Sequence, residues 1–187
     1  GELYLIDAEK ADLALWQGIL ISAASLSIGW LVYDYLCKSG LGERPTVLML
    51  LLFVLRDFIQ YWIHRLLHAV PLLWRFHAMH HRPKDLYWLE AWRQHPVDFV
   101  LHGIAVGVPG ALLDASLADI GAVVLLRKTY TTFLHANLRW RLQSLGRWIA
   151  TPAFHAVHHS HDPRDYDRNF AGMFPFLDRI FGTYRAP

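Results

Sequence analysis

The segment that decides the fold is RDFIQYWIHRLLH, residues 56–68. It continues an uncharged apolar run that begins after Thr46, and this pattern predicts a helix that crosses lipid and ends in a polar region. His64 and His68 are four residues apart, a spacing that puts both imidazoles on one helix face. Asp57 precedes His64 by seven residues, so its carboxylate could accept the second N–H of a ligating ring.

Three further apolar segments accompany this helix. Residues 13–37 carry one charge, Asp34, and at ~1.5 Å per residue they can cross a hydrocarbon layer of about 30 Å. A secretory signal peptide is a weaker reading, because the preceding flank is acidic and the run exceeds the ~7–15 residues of such a signal. A third segment covers residues 97–113, and a fourth begins near Ala115. These last two form either a second membrane hairpin or a short re-entrant pair.

We therefore expect an all-α integral membrane protein, since strands in lipid need a closed barrel and no alternating pattern is present. It would have about four transmembrane or membrane-embedded helices in two hairpins, below a His-rich helical cap. The whole chain would be one membrane-bound domain: residues 1–12 a polar lead-in, 13–70 the first hairpin, 71–96 a first part of the cap, 97–138 the second hairpin and 139–187 the rest of the cap.

The positions of the basic residues predict the orientation. Only Lys38 and Arg44 lie in the first hairpin loop, and no basic residue lies in the second. The positive-inside rule then puts the cap in the cytoplasm, at a bacterial inner membrane or the endoplasmic reticulum.

Composition excludes several classes of protein. Hydrophobic residues make up 54% and charged residues 18% of the chain, which excludes a disordered protein. The single cysteine, Cys37, excludes a disulfide framework and a cysteine-based zinc or iron–sulfur site. A net charge of +2 without a basic run gives no indication of a nucleic-acid partner.

Histidine is the informative residue, with 12 copies in 187 residues. The pattern His-x-x-His-His occurs twice, as His77-Ala78-Met79-His80-His81 and His155-Ala156-Val157-His158-His159. On a helix, we expect each pattern to converge three nitrogens toward one point. These clusters and the first pair hold too many ligands for one metal. His135 adds another, since it follows Arg127 by eight residues just as His64 follows Arg56.

The ligand type restricts the metal. Imidazoles without thiolate suit iron, zinc or copper. The usual soluble di-iron bundle uses Glu-x-x-His motifs, and none of the four glutamates stands three residues before a histidine. What remains is an all-imidazole site for two metals, a centre suited to binding and reducing O₂.

Other polar residues near the clusters are candidates for the metal or its surroundings. His95 and His161 could be ligands or neighbours of ligands, and His95 could equally cap a helix. Acceptors for the ligating rings could come from Asp162, Asp165, Asp167 and Asn169, which could also form an ordinary solvated loop. Five aromatic residues could form an interfacial belt or line an apolar substrate channel: Tyr61, Trp62, Trp74, Trp88 and Trp92.

Taken together, these motifs resemble the sterol desaturase/fatty acid hydroxylase superfamily. The similar motifs are residues 56–68, PLLWRFHAMHH (71–81), RQHP (93–96), FLHAN (133–137), TPAFHAVHH (151–159) and DRIFGTY (178–184). The resemblance implies a membrane non-haem di-iron oxygenase that uses O₂ and external electrons. It implies as metal ligands His64, His68, His77, His80, His81, His135, His155, His158 and His159.

The function we expect is hydroxylation, or desaturation, of a C–H bond in a lipid-like substrate such as a fatty acyl chain or a sterol. The cofactors would be two iron ions and O₂, with zinc as a substitute in purified protein. Electrons would come from a separate cytochrome, ferredoxin or reductase, because the chain has no dinucleotide fingerprint and no cysteine cluster. The alternatives are a carotenoid-type hydroxylase and a non-catalytic membrane metal- or haem-binding protein.

Overall fold

The computed structural model describes Lys38 and residues 46–83, 86–138 and 145–187. The predicted lead-in (1–12) and first membrane helix (13–37) lie outside the described residues. Every regular element in the described part is helical, as the sequence predicts. The helices are α1 (Thr46–Ala69), α2 (Pro71–His81), α3 (Pro96–Leu112), α4 (Leu117–Leu134), α5 (Pro152–His158) and α6 (Phe176–Ile180), with 3-10 turns at Trp88–Trp92, Leu145–Arg147 and Pro163–Asp165.

Helix α1 is the candidate membrane helix of the described residues, since Val47–Ala69 is long and apolar enough to cross a bilayer. Its buried face is mixed, with polar side chains beside Leu52, Tyr61 and Leu67. The buried face carries Asp57, Gln60 and His64. The exposed face is an apolar stripe of Val47, Leu50, Leu51, Val54, Phe58, Trp62 and Leu66. An outward apolar face of this size indicates contact with lipid.

Helices α3 and α4 also expose apolar side chains and pack against each other. Val100 and Leu112 of α3 are 68% and 76% exposed. At the turn between the helices, Gly110 lies so close to Ile120 that a Cβ would stand 2.8 Å from the Ile120 side chain. A capping box of Ser116 and Asp119 starts α4 at Leu117, slightly later than the predicted start.

The segment after the last histidine cluster is fastened to the core by one buried carboxylate. Asp178 accepts hydrogen bonds from the backbone N–H groups of Phe170 (2.7 Å) and Ala171 (2.9 Å) and from the Thr183 hydroxyl (2.6 Å). Thr183 in turn hydrogen-bonds the Tyr61 hydroxyl at 2.8 Å, which links this segment to α1. The surrounding core cluster is Tyr61, Leu134, Ala150, Phe154, Phe170, Ala171 and Leu177.

Removing this carboxylate should destabilise the fold. We expect Asp178→Ala to lower the free energy of unfolding by about 2–4 kcal/mol, because two buried N–H groups and a hydroxyl lose their acceptor. Thermal unfolding in detergent measures the change. The control is Asp165→Ala, which removes an exposed ion pair with Arg185 and should cost less than about 1 kcal/mol. Equal melting temperatures for the two variants would contradict the assignment.

Candidate metal centre

The structure brings all nine histidines of the expected ligand set together in two adjoining groups. Group A is His64, His68, His77, His81 and His158, and group B is His80, His135, His155 and His159. Within each group, one nitrogen from each ring lies within 4.8 Å of the others. The groups adjoin where the rings of His81 and His159 stack, with centroids 4.2 Å apart.

The two His-x-x-His-His motifs do not converge on one point, which corrects the sequence expectation. Each motif is divided between the groups, with its i and i+4 histidines in one and its i+3 histidine in the other. The reason is helical geometry: relative to residue i, residue i+3 is rotated by about 60° to one side and residue i+4 by about 40° to the other. Helices α2 and α5 can therefore each contribute to both groups.

Backbone carbonyl groups orient four of the rings. The Nδ1–H groups donate from His64 to the Phe170 oxygen (2.9 Å), from His80 to Arg93 (3.2 Å), from His135 to Thr131 (2.7 Å) and from His158 to Arg168 (2.8 Å). A carbonyl oxygen only accepts, so Nδ1 carries the proton and Nε2 keeps its lone pair. Sequence reasoning missed these acceptors, because a backbone carbonyl leaves no signal in residue type.

Two carboxylates orient two further rings. The Asp98 carboxylate is fully buried and lies 3.4 Å from His77 Nδ1. The exposed Asp167 lies 3.3 Å from His68 Nδ1, so one of the four predicted loop acceptors reaches a ring. Asp98 was absent from the candidate residues. The available signal was its position in the first turn after the His95-Pro96 pair.

The inward nitrogens fit a metal. In group B, Nε2 of His135 lies 3.1 Å from Nε2 of His80 and 3.2 Å from Nε2 of His155. His80 and His135 each carry their proton on Nδ1, so two lone pairs face each other and repel unless a cation lies between them. In the described part of the chain, Nε2 of His77, His158 and His159 is also buried without a hydrogen-bond partner.

The electrostatic environment keeps these rings in the form that binds metals. Burial lowers the pKa of His80, His155 and His159 well below the usual value for imidazole, and the neighbouring imidazoles lower it further. The rings are therefore neutral at physiological pH. Neutral imidazoles coordinate a cation without first releasing a proton.

Asp57 does not play the role that its spacing suggested. Its carboxylate forms an ion pair with Arg127 at 2.9 Å and accepts hydrogen bonds from the N–H groups of Met173 and Phe174. Seven residues of helix separate it from His64 by about 10 Å along the axis, too far for a hydrogen bond. Asp57 instead attaches α4 and the 169–174 loop to α1.

Three other candidates for the metal or its surroundings have different partners in the structure. His95 caps α3, where its Nδ1 accepts from the Val97 N–H at 3.2 Å. Exposed His161 donates from Nε2 to the Pro83 carbonyl oxygen at 3.3 Å. Asp162 pairs with Arg164 at 2.6 Å on the surface.

Asn169 contacts backbone groups instead of an imidazole. Its amide donates to the carbonyl oxygens of Phe154 and Arg185 and accepts from the Arg185 N–H. Its φ of 56° lies in the left-handed region, which asparagine tolerates. Asn169 thereby fixes the turn that aims the neighbouring Phe170 carbonyl at His64.

Two cavities reach the histidines from different sides. The membrane-side cavity has a volume of about 490 Å³, lies between α1, α3 and α4, and includes His64, His77, His80, His135 and His155 in its lining. The polar-side cavity, of about 350 Å³, is lined by His68, Trp74, His81, His158, His159, Ser160, His161, Tyr166 and Asp167.

The five aromatic residues considered for a substrate channel separate accordingly. Trp92 lines the membrane-side cavity and Trp74 lines the polar-side cavity. The channel prediction is wrong for Tyr61, which is fully buried in the core cluster. Trp62 packs on Phe181 with its ring partly exposed. The lining of neither cavity includes Trp62 or Trp88.

Comparison with known proteins identifies the family. The family model for fatty acid hydroxylase matches residues 49–183. The chain belongs to this family. This confirms the resemblance drawn from the motifs. The model for the urate oxidase N-terminal region matches residues 1–79, less than half of the chain. No solved structure matches.

The relatives of this member of the fatty acid hydroxylase family are named as enzymes that act on several kinds of lipid. Human alkylglycerol monooxygenase is 30% identical over 130 residues, which cover 70% of this chain and 29% of the relative. The ornithine lipid hydroxylase OlsE of Rhizobium tropici is 35% identical over 138 residues, covering 72% and 40%. Methylsterol monooxygenase 2-2 of Arabidopsis thaliana is 30% identical over 145 residues, covering 75% and 53%. The chain thus spans about half or less of the length of each.

The buried carboxylate beside His77 should strengthen metal binding. We expect Asp98→Asn to weaken the affinity for divalent metal by about 10–100-fold, because a neutral amide holds and polarises the ring less well than a carboxylate. Chelator competition in detergent measures the affinity. Asp162→Asn, which changes a surface partner of Arg164, is the control. An unchanged affinity in Asp98→Asn would overturn the role assigned to Asp98.

Proposed function

We propose that this chain is the oxygenase domain of a membrane di-iron monooxygenase that hydroxylates, or desaturates, a C–H bond of a lipid-like substrate. One observation carries the proposal: two adjoining groups of neutral imidazoles meet at the end of a cavity that lies between apolar helices. The names of the relatives, which are monooxygenases and a hydroxylase of lipids, support it.

The two groups would each hold one iron. Group A offers five nitrogens and group B offers four, so both ions would keep open positions in a sphere of up to six ligands. When bound, the iron pair supplies the chemistry that reduces O₂ with external electrons and oxidises an unactivated C–H bond. The chain keeps the imidazole rings in place, because four carbonyl oxygens and two carboxylates fix the orientations of six rings.

The membrane-side cavity would admit the substrate. Its volume falls in the range of about 300–1,000 Å³ that is usual for small-molecule sites. Apolar residues of α3 and α4 line it, including Phe99, Val106, Val124 and Leu125. Phe99 and Val124 are nearly half exposed on the lipid-facing surface. A lipid chain could therefore enter from the bilayer between α3 and α4 and reach the histidines without crossing water.

The electron donor would bind at the polar-side cavity and pass electrons to the histidine groups from there. The Trp74 ring is 37% exposed and lies 4.9 Å from the His68 ring, which offers a contact between the surface and group A. The donor would be a separate cytochrome, ferredoxin or reductase.

We also propose the arrangement in the membrane. The chain would form one domain in which α3 and α4 are the second hairpin, while the histidines, α2, α5 and α6 form the cap. The positive-inside rule would put this cap in the cytoplasm, at a bacterial inner membrane or the endoplasmic reticulum.

A single-turnover experiment with labelled oxygen tests the function. Iron-loaded protein is reduced with dithionite in detergent, exposed to ¹⁸O₂ and mixed with a fatty acid, an alkylglycerol or a methylsterol. We expect one lipid class to gain a single ¹⁸O atom. His80→Ala and His158→Ala each remove one nitrogen ligand from a histidine group, and each variant should form at least about 99% less product because stabilisation of the transition state worth several kcal/mol is lost.

The control is Arg164→Gln, which changes a surface partner of Asp162 outside the lining of both cavities and should leave product unchanged. A new double bond without label would indicate desaturation. Label in none of the lipids and no new double bond, from protein that holds its iron, would contradict the proposal.

A further inference from the structure

The middle of the membrane-side cavity is polar, although it lies between helices that face lipid. Outside the two histidine groups, four residues of its lining carry buried polar atoms without a hydrogen-bond partner among the described residues: Arg56 (Nη1), Gln60 (Oε1), His102 (Nδ1) and Arg127 (Nε and Nη1). We call these four residues the polar belt. Arg127 and Gln60 are 2% and 6% exposed. Unpaired groups at such burial are costly, so the belt needs a partner.

Among the described residues, the two arginines of the polar belt have a single carboxylate within ion-pair distance. Arg127 and Arg56 share one carboxylate, Asp57, at 2.9 Å and 3.7 Å. That carboxylate also accepts two backbone N–H groups from the loop at Met173 and Phe174. The two guanidinium groups therefore share one counter-ion in a buried site, where a cation without a counter-ion of its own is unfavourable.

The neighbouring cation, Lys128, has partners of its own. Its ammonium group donates to the Ala91 carbonyl oxygen at 2.6 Å and lies 4.3 Å from the centre of the Trp92 ring. The free donors of the cavity are thus concentrated on the two arginines. Their guanidinium groups present N–H donors in the planar arrangement that suits a carboxylate or a phosphate.

The two arginines of the polar belt are separate from the histidine groups, whereas Gln60 and His102 lie between them and the histidines. Arg56 precedes His64 on α1 by eight residues, and Arg127 precedes His135 by eight. Each interval corresponds to a rise of about 12 Å along a helix. A ligand that contacts both the belt and the histidines must therefore be elongated, with a polar group several bonds away from the carbon that is oxidised.

We propose that the polar belt is an anion subsite that binds the anionic oxygen group, a carboxylate or a phosphate, of a long-chain lipid. Arg56 and Arg127 donate to the anionic oxygens, and the alkyl chain extends to the histidines. The inference rests on the proposed function, and it adds that the substrate is an anionic amphiphile held by its polar end. The position of the oxidised carbon is then set by its distance from the polar end of the lipid.

Binding to zinc-loaded protein tests the subsite apart from turnover, because zinc has no redox chemistry. Affinities of the full chain in detergent are measured for hexadecanoate, its methyl ester and hexadecyl phosphate. We expect hexadecanoate to bind at least about tenfold more tightly than the ester, since hydrogen bonds to a charged group are strong. Whichever anion binds more tightly identifies the natural group.

Two matched variants test whether the polar belt causes the tighter binding of the acid than of the ester. Arg56→Gln should abolish the difference between acid and ester while leaving the Asp57–Arg127 ion pair in place. Arg65→Gln is the control, because Arg65 is on the same helix but contacts Tyr61 and Trp62 outside the cavity. It should preserve the difference.

The site of oxidation gives a second readout. Tetradecanoate, hexadecanoate and octadecanoate should be oxidised at the same carbon counted from the carboxyl end. Equal binding of acid and ester to the wild-type protein, or an equal loss in Arg65→Gln, would overturn the subsite. In that event the protein itself neutralises the two arginines, and lipid oxidation is tested separately by the labelled-oxygen experiment.

Discussion

The rest of the structure depends on nine imidazoles whose ring nitrogens are gathered into two adjoining groups. In isolation this arrangement is unfavourable, because lone pairs such as those on Nε2 of His80 and His135 repel at 3.1 Å. The protein maintains it by giving most rings an acceptor for the Nδ1 proton. Metal binding would convert the repulsion into coordination, so folding and metal affinity are expected to be coupled.

Much of the chain around the histidines exists to position those acceptors. Asn169 and Asp178 fix the turn whose Phe170 carbonyl group holds His64. Asp57 fastens the same loop to α1 and, through Arg127, to α4. The loop passes so close to this ion pair that a Cβ at Gly172 would overlap Arg127 Nη2. A side chain at this position would have to displace the Arg127 guanidinium from Asp57.

The sequence predicted the described helices and eight of the grouped histidines because apolar runs and histidine spacing leave a signal in residue type. His135 has no such spacing and was included for its position eight residues after Arg127 and for the family resemblance. The spacing of His77, His80 and His81 could not predict their division between two groups, since this depends on where the other helices lie. Carbonyl acceptors left no signal. Tyr61 was misassigned because an aromatic residue at an interface and one in a core look alike in sequence, until a partner such as Thr183 is known.

We propose that the two groups of histidines together form a two-metal centre. Metal content per chain, measured by elemental mass spectrometry on protein purified in detergent without chelator, tests it most directly. We expect about two metals per chain, as iron or as substituting zinc, one for each group. A content of one or less, in folded protein offered excess iron, would contradict it.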